Sequence, residues 1–438
     1  MNQKSDIQKV LNQIDSMKNE IIDLTSEVVK IQSINPLYVG VDVDAVTGGE
    51  TENNEVLKPV VEGFNCKAEF ITIDKKRSNL AAILKGSGGG KSLILNGHID
   101  TVPFGDPKLW SGNDPISGKV VNNKLYGRGS TDMKGGIVSM IKALEAITKS
   151  GIKLKGDVII QSVVGEETMS HDIGTSAVTN AGYKADAAIV TEPTDPPTKL
   201  SISPITIGVL WFSIEIEGKP THCTVRDELI RAGGGGDEIG VNAIEKGIKI
   251  VGALQELEQE WGITKQHPLF KPGHFTIHPG VFHGAPKGLE VPFVISDRCT
   301  IEYAVMCHPN EKVEDIKNEI ETCIIRRAKS DSWLSKNIPK IEWKLHWPPA
   351  EIPQNHPIVK TLCHSHENTT GMKAQIHGFP AVCDAAWLNK LNIPSVVYGP
   401  GNLMLAHGID EYVETNDLVL SSKAIASTIL DWCGYENI

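Results

Sequence analysis

Four short apolar runs constrain this chain more than any other feature. They are Ser92-Leu-Ile-Leu-Asn96, Asp157-Val-Ile-Ile-Gln-Ser-Val-Val164, Ala185-Asp-Ala-Ala-Ile-Val190 and Pro394-Ser-Val-Val-Tyr398. A strand with one wet face alternates, so continuous runs of this length belong to strands buried on both faces. Helical spacing lies between them, as at Ile137, Met140, Ile141, Leu144 and Ile147. Strand–helix alternation predicts an α/β fold with helices on the faces of a sheet. The 438 residues, at about 150 per domain, allow two or three domains.

The opening segment carries Ile7, Val10, Leu11, Ile14, Met17, Ile21, Ile22 and Leu24 at mostly three- and four-residue spacing. That predicts one amphipathic helix, ended by Ser33-Ile-Asn-Pro36. Lys85-Gly-Ser-Gly-Gly-Gly-Lys91 separates two apolar runs and predicts a hairpin-like connection. The middle of the chain reads differently. A strand over 206–217, a helix over 242–260, a strand over 299–306, a helix over 313–329 and a strand over 340–345 follow a β-α-β-β-α-β-like order. We place an inserted domain at 207–347, between flanks 1–206 and 348–438 that form a catalytic domain. Gly233 to Gly236 is a flexible loop within it, and Trp333, Trp343 and Trp347 pack it.

Charge and cysteine content exclude several classes. Lys plus Arg is 43 against 54 Asp plus Glu, a formal charge of −11. That balance argues against a nucleic-acid backbone or an anionic membrane as partner. Charges interrupt every apolar stretch of the N-terminus, so no signal-peptide core is expected, and no run approaches the roughly 18 apolar residues of a membrane span. The eight cysteines are scattered, with no CxxC pair. Reduced thiols in a cytoplasmic protein are the expectation.

Each apolar run is followed by residues that carry chemistry. His98, Ile99 and Asp100 follow the first, Gly165, Glu166 and Glu167 the second, and Thr191, Glu192, Pro193 and Thr194 the third. Gly399, Pro400 and Gly401 follow the fourth, with His407 soon after, and Asp132 lies just before a helical stretch. Ligand sites of open α/β sheets gather beyond the carboxyl ends of strands. His98, Asp132, Glu167, Glu192 and His407 offer two imidazoles and three carboxylates, a set that suits two divalent ions with one bridging carboxylate. Mixed N/O donors favour Zn²⁺, with Co²⁺ or Mn²⁺ as substitutes. If strand geometry continues past His98, Asp100 points the same way and can hold its other ring nitrogen. Glu166 and Glu167, adjacent on extended backbone, would point oppositely. One can then bind metal while the other faces substrate and moves a proton.

In this order the residues closely resemble the metallopeptidase and deacylase family of acetylornithine deacetylase, succinyl-diaminopimelate desuccinylase, aminoacylase-1 and glutamate carboxypeptidase. The matching segments are Asn96-Gly-His-Ile-Asp-Thr-Val-Pro103, Tyr126-Gly-Arg-Gly-Ser-Thr-Asp-Met-Lys-Gly-Gly136, Val164-Gly-Glu-Glu167, Thr191-Glu-Pro-Thr194 and Tyr398-Gly-Pro-Gly401 through His407. The resemblance implies a zinc-exopeptidase-like catalytic domain with a mixed sheet, plus an inserted α+β ferredoxin-like lid that forms a homodimer contact. It assigns His98 and Glu192 to one ion and Glu167 and His407 to the other. Asp132 bridges them, Glu166 is the general base and Asp100 supports His98. Gly218-Lys-Pro-Thr-His222 matches the segment whose histidine reaches the partner's site and stabilises the oxyanion. The implied reaction is hydrolysis of a small N-acyl amide. A dipeptidase, aminopeptidase or carboxypeptidase of the same family, and a non-catalytic metal or small-molecule binder, are the rivals.

Departures from the pattern bear on substrate. Ala386 in Phe379-Pro-Ala-Val-Cys-Asp-Ala-Ala386 stands where the family often has an arginine that meets a substrate carboxylate, and Ala304 does so in the lid strand. Bidentate arginine is the preferred reader of a carboxylate. A substrate whose amine part is neutral or cationic, or whose carboxylate is read by other groups, is therefore expected, and the family's formylaminopyrimidine deformylase shows that such substrates occur. Gly378, Cys383 and Asp384 are the nearest candidates for substrate contact, although Cys383 reads equally as a small packing residue. Other features read blandly. Arg128 and Lys134 support the Asp132 loop, His364 and His366 are solvent-exposed, and His274, His278 and His283 are loop residues near the dimer contact.

Overall fold

The computed structural model describes residues 3–111 and 114–436. The chain divides into two compact units, Met1–Thr206 with Ala350–Phe379 and Cys383–Ile438, and Ile207–Pro349 with Pro380–Val382. The first unit opens with helices α1 (Gln3–Ser16), α2 (Lys18–Lys30) and α3 (Gly49–Glu62). Strands β1 (Lys67–Asp74), β2 (Arg77–Leu84) and β3 (Leu93–His98), helix α4 (Gly135–Lys149), and strands β4 (Val158–Val163) and β5 (Ala188–Val190) follow. The second unit contributes β6 (Gly208–Glu217), α5 (Ala243–Thr264), β7 (Ile277–Gly284), β8 (Arg298–Cys307), α6 (Val313–Lys329) and β9 (Lys340–Trp347). The chain returns to the first unit for α7 (Pro357–Thr370), β10 (Ser395–Val397) and α8 (Thr415–Cys433).

The first unit holds a six-stranded mixed sheet in the order β1-β2-β4-β3-β5-β10. Its four parallel strands, β4, β3, β5 and β10, are the four apolar runs, and every residue of them is buried. Both faces are covered, as continuous apolarity requires. On one face Leu93, Leu95, Val158 and Ile160 join Val10, Ile14, Val28, Ile137, Ile141 and Ile425 from α1, α2, α4 and α8. On the other, Ala81 and Val163 pack with Val178 of the short helix Thr175–Asn180.

The N-terminal stretch is two helices. Met17, with φ −90° and ψ 6°, interrupts it, and α2 ends at Lys30. No proline or glycine marks the break, and Val10, Ile14, Met17, Ile21 and Leu24 stay buried in the same core on both sides of it.

The glycine-rich segment 85–91 is not a hairpin, because β4 lies between β2 and β3. Its glycines serve a different need. A Cβ on Gly86 would lie 2.3 Å from the Lys155 carbonyl oxygen, and one on Gly90 would lie 1.9 Å from that of Cys433. The segment therefore crosses the start of β4 at a backbone spacing that only glycine permits. The hairpin in this region joins β1 to β2, with Asp74 paired to Arg77.

The second unit is a four-stranded antiparallel sheet in the order β9-β6-β8-β7, with α5 and α6 packed on it. This is the β-α-β-β-α-β arrangement of ferredoxin-like folds. Alternation on β8 buries Cys299, Ile301, Tyr303, Val305 and Cys307, while α6 buries Ile316, Ile320 and Ile324 one turn apart. Phe212 stacks on Tyr303 with ring centroids 5.0 Å apart, and Trp343 leans on Phe212 at 4.7 Å. Trp347 is buried and Trp333 packs at the edge of the same core.

Strand β7 is absent from the sequence reading. It is the edge strand, carries Pro279 and Gly280, and shifts register opposite Glu302 and Tyr303. Proline and glycine erase the strand signal but are tolerated at an edge. His278 and His283 thus sit on a strand rather than a loop, and His274 stacks on Phe270. His366 is likewise not exposed. It lies on the buried face of α7, and its Nδ1 is 3.0 Å from the Tyr398 hydroxyl, while His364 is exposed. Among the described residues, no helix is long and apolar enough to cross a membrane.

Candidate active site

His98 is the last residue of β3, Glu166 and Glu167 follow β4, and Glu192 follows β5. Asp132 precedes α4, and His407 lies in the loop after β10. The parallel strands, together with the segment leading into α4, therefore bring these six residues to one end of the sheet, where the sites of such sheets gather.

The distances fall into two groups that share Asp132. The first has His98 Nε2 at 3.1 Å from Asp132 Oδ1 and 3.6 Å from Glu192 Oε1. The second has His407 Nε2 at 3.3 Å from Asp132 Oδ2 and 3.1 Å from Glu167 Oε2. Donors about 3.3 Å apart are spaced as they are around a tetrahedral ion with bonds of about 2.0 Å. His98, Asp132 and Glu167 each bring a donor atom within 4.8 Å of the others. The five residues could thus hold two divalent ions on either side of Asp132. Glu166 Oε2 is 3.9 Å from His98 Nε2 and outside both groups.

Glu166 and Glu167 diverge by a route other than extended backbone. Glu166–Thr168 is a single turn of 3₁₀ helix entered through Gly165 at φ 89°. Successive side chains of such a turn point about 120° apart, so one carboxylate reaches the His98 side and the next the His407 side. A Cβ on Gly165 would meet the Ser170 carbonyl oxygen at 2.9 Å.

The electrostatics are one-sided. Burial, reinforced by neighbouring carboxylates, pushes Glu166 and Glu192 well above the usual carboxylate range, and Glu167 upward as well. Burial alone would lower both imidazoles. The surrounding carboxylates outweigh it, raising His98 well above its ordinary value and His407 to about 11. Asp132 is also buried, yet hydrogen bonds to His407 and His98 hold it far below its ordinary value. A pocket with more carboxylates than imidazoles favours a divalent cation, which would offset the repulsion.

Asp100 departs from its expected contact. The strand ends at His98, so the two residues do not continue in register. His98 Nδ1 meets the Asp100 backbone oxygen at 2.9 Å, while the carboxylate is 3.8 Å away. Instead the Asp100 Oδ2 accepts from Asn35 Nδ2 at 2.8 Å and from the Glu167 backbone N–H at 3.1 Å. Asp100 thus supports His98 through its main chain and Glu167 through its side chain.

Sequence reasoning missed Asn35 and Tyr38. The Tyr38 hydroxyl donates to the Glu167 carbonyl at 3.0 Å. The signal in the sequence is Asn35-Pro36, which marks more than the end of a helix. An asparagine before a proline also forms an Asx turn, and here its Oδ1 accepts from the Leu37 N–H at 3.0 Å. Arg128 pairs with Glu411 and Lys134 donates to the Val28 and Ile31 carbonyls, so both support the Asp132 loop.

The remaining candidates are more scattered. Asp384 is buried, its Oδ2 accepts from the Thr175 hydroxyl at 2.7 Å, and burial raises its carboxyl to about 6. Cys383 is fully buried and its thiol is pushed well above its ordinary value by burial. Gly378 is half-buried and borders Phe379. His222 belongs to the second unit. It is exposed, caps the turn Cys223–Val225, and accepts from the Thr224 N–H at 3.2 Å.

The fold and the site define a hydrolase of amide C–N bonds built on a mixed α/β sheet. Residues 94–431 match the model of Peptidase family M20/M25/M40, and the chain belongs to that family. It is 34% identical over 444 residues to an N-formyl-4-amino-5-aminomethyl-2-methylpyrimidine deformylase of Bacillus subtilis, covering 98% of each chain. A deformylase of the same name from Halalkalibacterium halodurans is 31% identical over 439 residues, covering 98% of this chain and 97% of its own. Among solved structures, human carnosine dipeptidase 1 matches with a TM-score of 0.74 at 15% identity, covering 98% of each chain.

The loop that carries Glu192 contains a separate titratable group. The Asp195 side chain accepts the Leu200 N–H, and burial raises its carboxyl from 3.8 to about 7. An acid that titrates higher when folded holds more protons in the fold. Its contribution is therefore full at low pH and is lost as pH rises from about 4 to 7. Asp195→Asn keeps the acceptor without the charge. Its melting temperature relative to the parent should be higher at pH 8 than at pH 4.5, and an equal difference at both values would remove this account.

Proposed function

We propose that the chain is a deformylase-type amidohydrolase. It adds water to a small N-formyl amide and releases formate and an amine whose remaining part is a neutral or cationic heteroaromatic of the aminopyrimidine kind. One observation carries the substrate side of this reading. The first unit has only two arginines in its sequence, Arg77 and Arg128. Both are buried and each is paired to a buried glutamate, Glu50 and Glu411 respectively. Neither is available to grip a substrate carboxylate, and Ala386 stands where such an arginine would be expected. The two deformylase relatives, named for an aminomethylpyrimidine, support the same choice.

Within this reading His98 and Glu192 would hold one divalent ion and Glu167 and His407 the other, with Asp132 shared between them. Zn²⁺ is the first candidate for this donor set, with Co²⁺ or Mn²⁺ next. Such ions, when bound, supply Lewis acidity toward the carbonyl and lower the pKa of a water. Glu166 lies beside both groups of donors without belonging to either. We assign it the proton: it accepts from the attacking water and delivers to the departing nitrogen. Burial among carboxylates suits this task, because it makes Glu166 a stronger base than an exposed glutamate. The family resemblance further assigns the second unit to a homodimer contact, with His222 stabilising the oxyanion in the partner's site. All eight cysteines are unpaired, which supports a reducing cytoplasmic setting.

Matched formyl, acetyl and peptide amides, each with and without a carboxylate on the amine part, test the substrate class. The carboxylate-free formamide should have the highest kcat/KM. A strong preference for the carboxylated member would sink the reading, and a preference for dipeptides would replace it with a peptidase. Glu166→Gln should retain its metal by elemental analysis while kcat falls about 10²- to 10⁴-fold, and a variant with undiminished kcat would end the assignment. Mixing inactive Glu166→Gln with inactive His222→Ala should recover activity, because each mixed dimer contains one site with both groups. No recovery from a mixture shown to exchange subunits would rule out action across the dimer.

A further inference from the structure

Two of the site's side chains stand on irregular backbone. His407 has φ +61° and a side chain 55% exposed, in a loop that follows only a short 3₁₀ turn. Asp132 has φ −121° and ψ 96°, out of helical geometry just before α4. Neither is held by a strand or helix of its own.

One fully buried carboxylate reaches both regions. Glu411 Oε1 accepts the backbone N–H of Thr131 at 2.9 Å and that of Asp132 at 3.1 Å. Its Oε2 accepts from Arg128 Nη1 at 2.7 Å. The other arm of the guanidinium, Nη2, donates to the His407 carbonyl at 3.3 Å and to the Pro103 carbonyl at 3.4 Å. Two further bonds brace the arrangement. The Gly127 N–H donates to the Glu411 carbonyl at 2.9 Å, and the Thr131 hydroxyl to that of Tyr412 at 2.6 Å. A single ion pair therefore joins the Asp132 loop, the His407 loop and the stretch that follows His98.

This placement runs against stability alone. Glu411 is fully buried and Arg128 is 2% exposed, and Asp132 adds a further carboxylate beside them. A buried ion pair is often no more stabilising than well-packed apolar residues of the same volume. What it supplies is direction, because a guanidinium and a carboxylate fix their partners in plane and at set distances.

We propose that the Glu411–Arg128 pair is a positioning element that sets the spacing between Asp132 and His407, and with it the affinity of the ion these two share with Glu167. This rests on the two-ion reading above. Neither Glu411 nor Arg128 contacts substrate; each acts through the residues it holds. Groups that orient metal-binding side chains commonly change metal affinity about 10- to 100-fold when replaced.

The test compares the metal-free parent and Glu411→Gln by calorimetric titration with Zn²⁺, together with the visible spectrum of the Co²⁺-loaded forms. The parent should take up two ions. The variant should hold one at parental affinity and the other at least about tenfold more weakly. Its Co²⁺ spectrum should change, and kcat should fall while KM moves little. Arg128→Lys keeps the charge opposite Glu411 but cannot fork to both carbonyls, so it should lie between the two. It also carries the comparison if the glutamine variant does not fold. Two unchanged affinities with an unchanged spectrum would overturn the proposal. So would an equal loss at both sites together with a lowered metal-free melting temperature, which marks a general structural role. A parent that binds fewer than two ions overturns the two-ion reading itself, and that outcome is seen before any variant is made.

Discussion

Concentrated negative charge inside the first unit is the constraint on which the rest depends. Asp100, Asp132, Glu166, Glu192, Asp384 and Glu411 are each less than a tenth exposed, and the Glu167 side chain is 5% exposed. Among the described residues, the cationic groups within contact distance of them are the imidazoles of His98 and His407 and the guanidinium of Arg128, beside a set of backbone and side-chain donors. Buried charge of one sign is costly unless paired or coordinated. Every device around the site can be understood as an answer to this cost. Asn35 and the Glu167 N–H quiet Asp100, Thr175 quiets Asp384, and Arg128 with two backbone amides quiets Glu411. Glu192, Glu167 and Asp132 are left facing His98 and His407 at distances suited to shared cations.

The sheet makes this convergence possible without long-range threading. Three parallel strands, β4, β3 and β5, end side by side, and β10 lies next to β5. Each needs only a short extension to place a polar side chain over the common edge. Parallel strands buried on both faces cannot display charge along their length, so polar function is confined to their ends. The same burial that makes the strands apolar therefore makes the site compact. The Glu166–Glu167 turn shows how fine the control is: one 3₁₀ turn sends adjacent carboxylates to different partners.

This logic explains what could be read from the residues alone. The four parallel strands announced themselves by unbroken apolarity, and the ligand candidates by standing directly after them. β7 did not, because an edge strand tolerates Pro279 and Gly280 and so loses its pattern. The glycines of 85–91 suggest a hairpin because close backbone passage and tight turning ask for the same residue. An HxH pair on a helix suggests two exposed residues, yet α7 buries His366 against Tyr398. The supporting groups were harder still. Glu411 carries no local signature, since its meaning comes from N–H groups about 280 residues away in sequence. Asn35 and Tyr38 act on Asp100 and Glu167 from a loop that reads as a helix stop. Ligand identity is a property of residue type, whereas ligand support is a property of topology.

The same charge argument bears on what the site accepts. A substrate with a free carboxylate finds no uncommitted arginine in the first unit. Arg77 faces Glu50 at 2.6 Å and Arg128 faces Glu411 at 2.7 Å, so each is already satisfied where it stands. Releasing either would leave a glutamate buried and unpaired, at a cost of several kcal/mol. A neutral or cationic amine part meets no such obstacle, and its own N–H groups match an acceptor-rich surround. The proposed preference for a formamide of an amino-heteroaromatic therefore rests on the commitment of both arginines to buried glutamates.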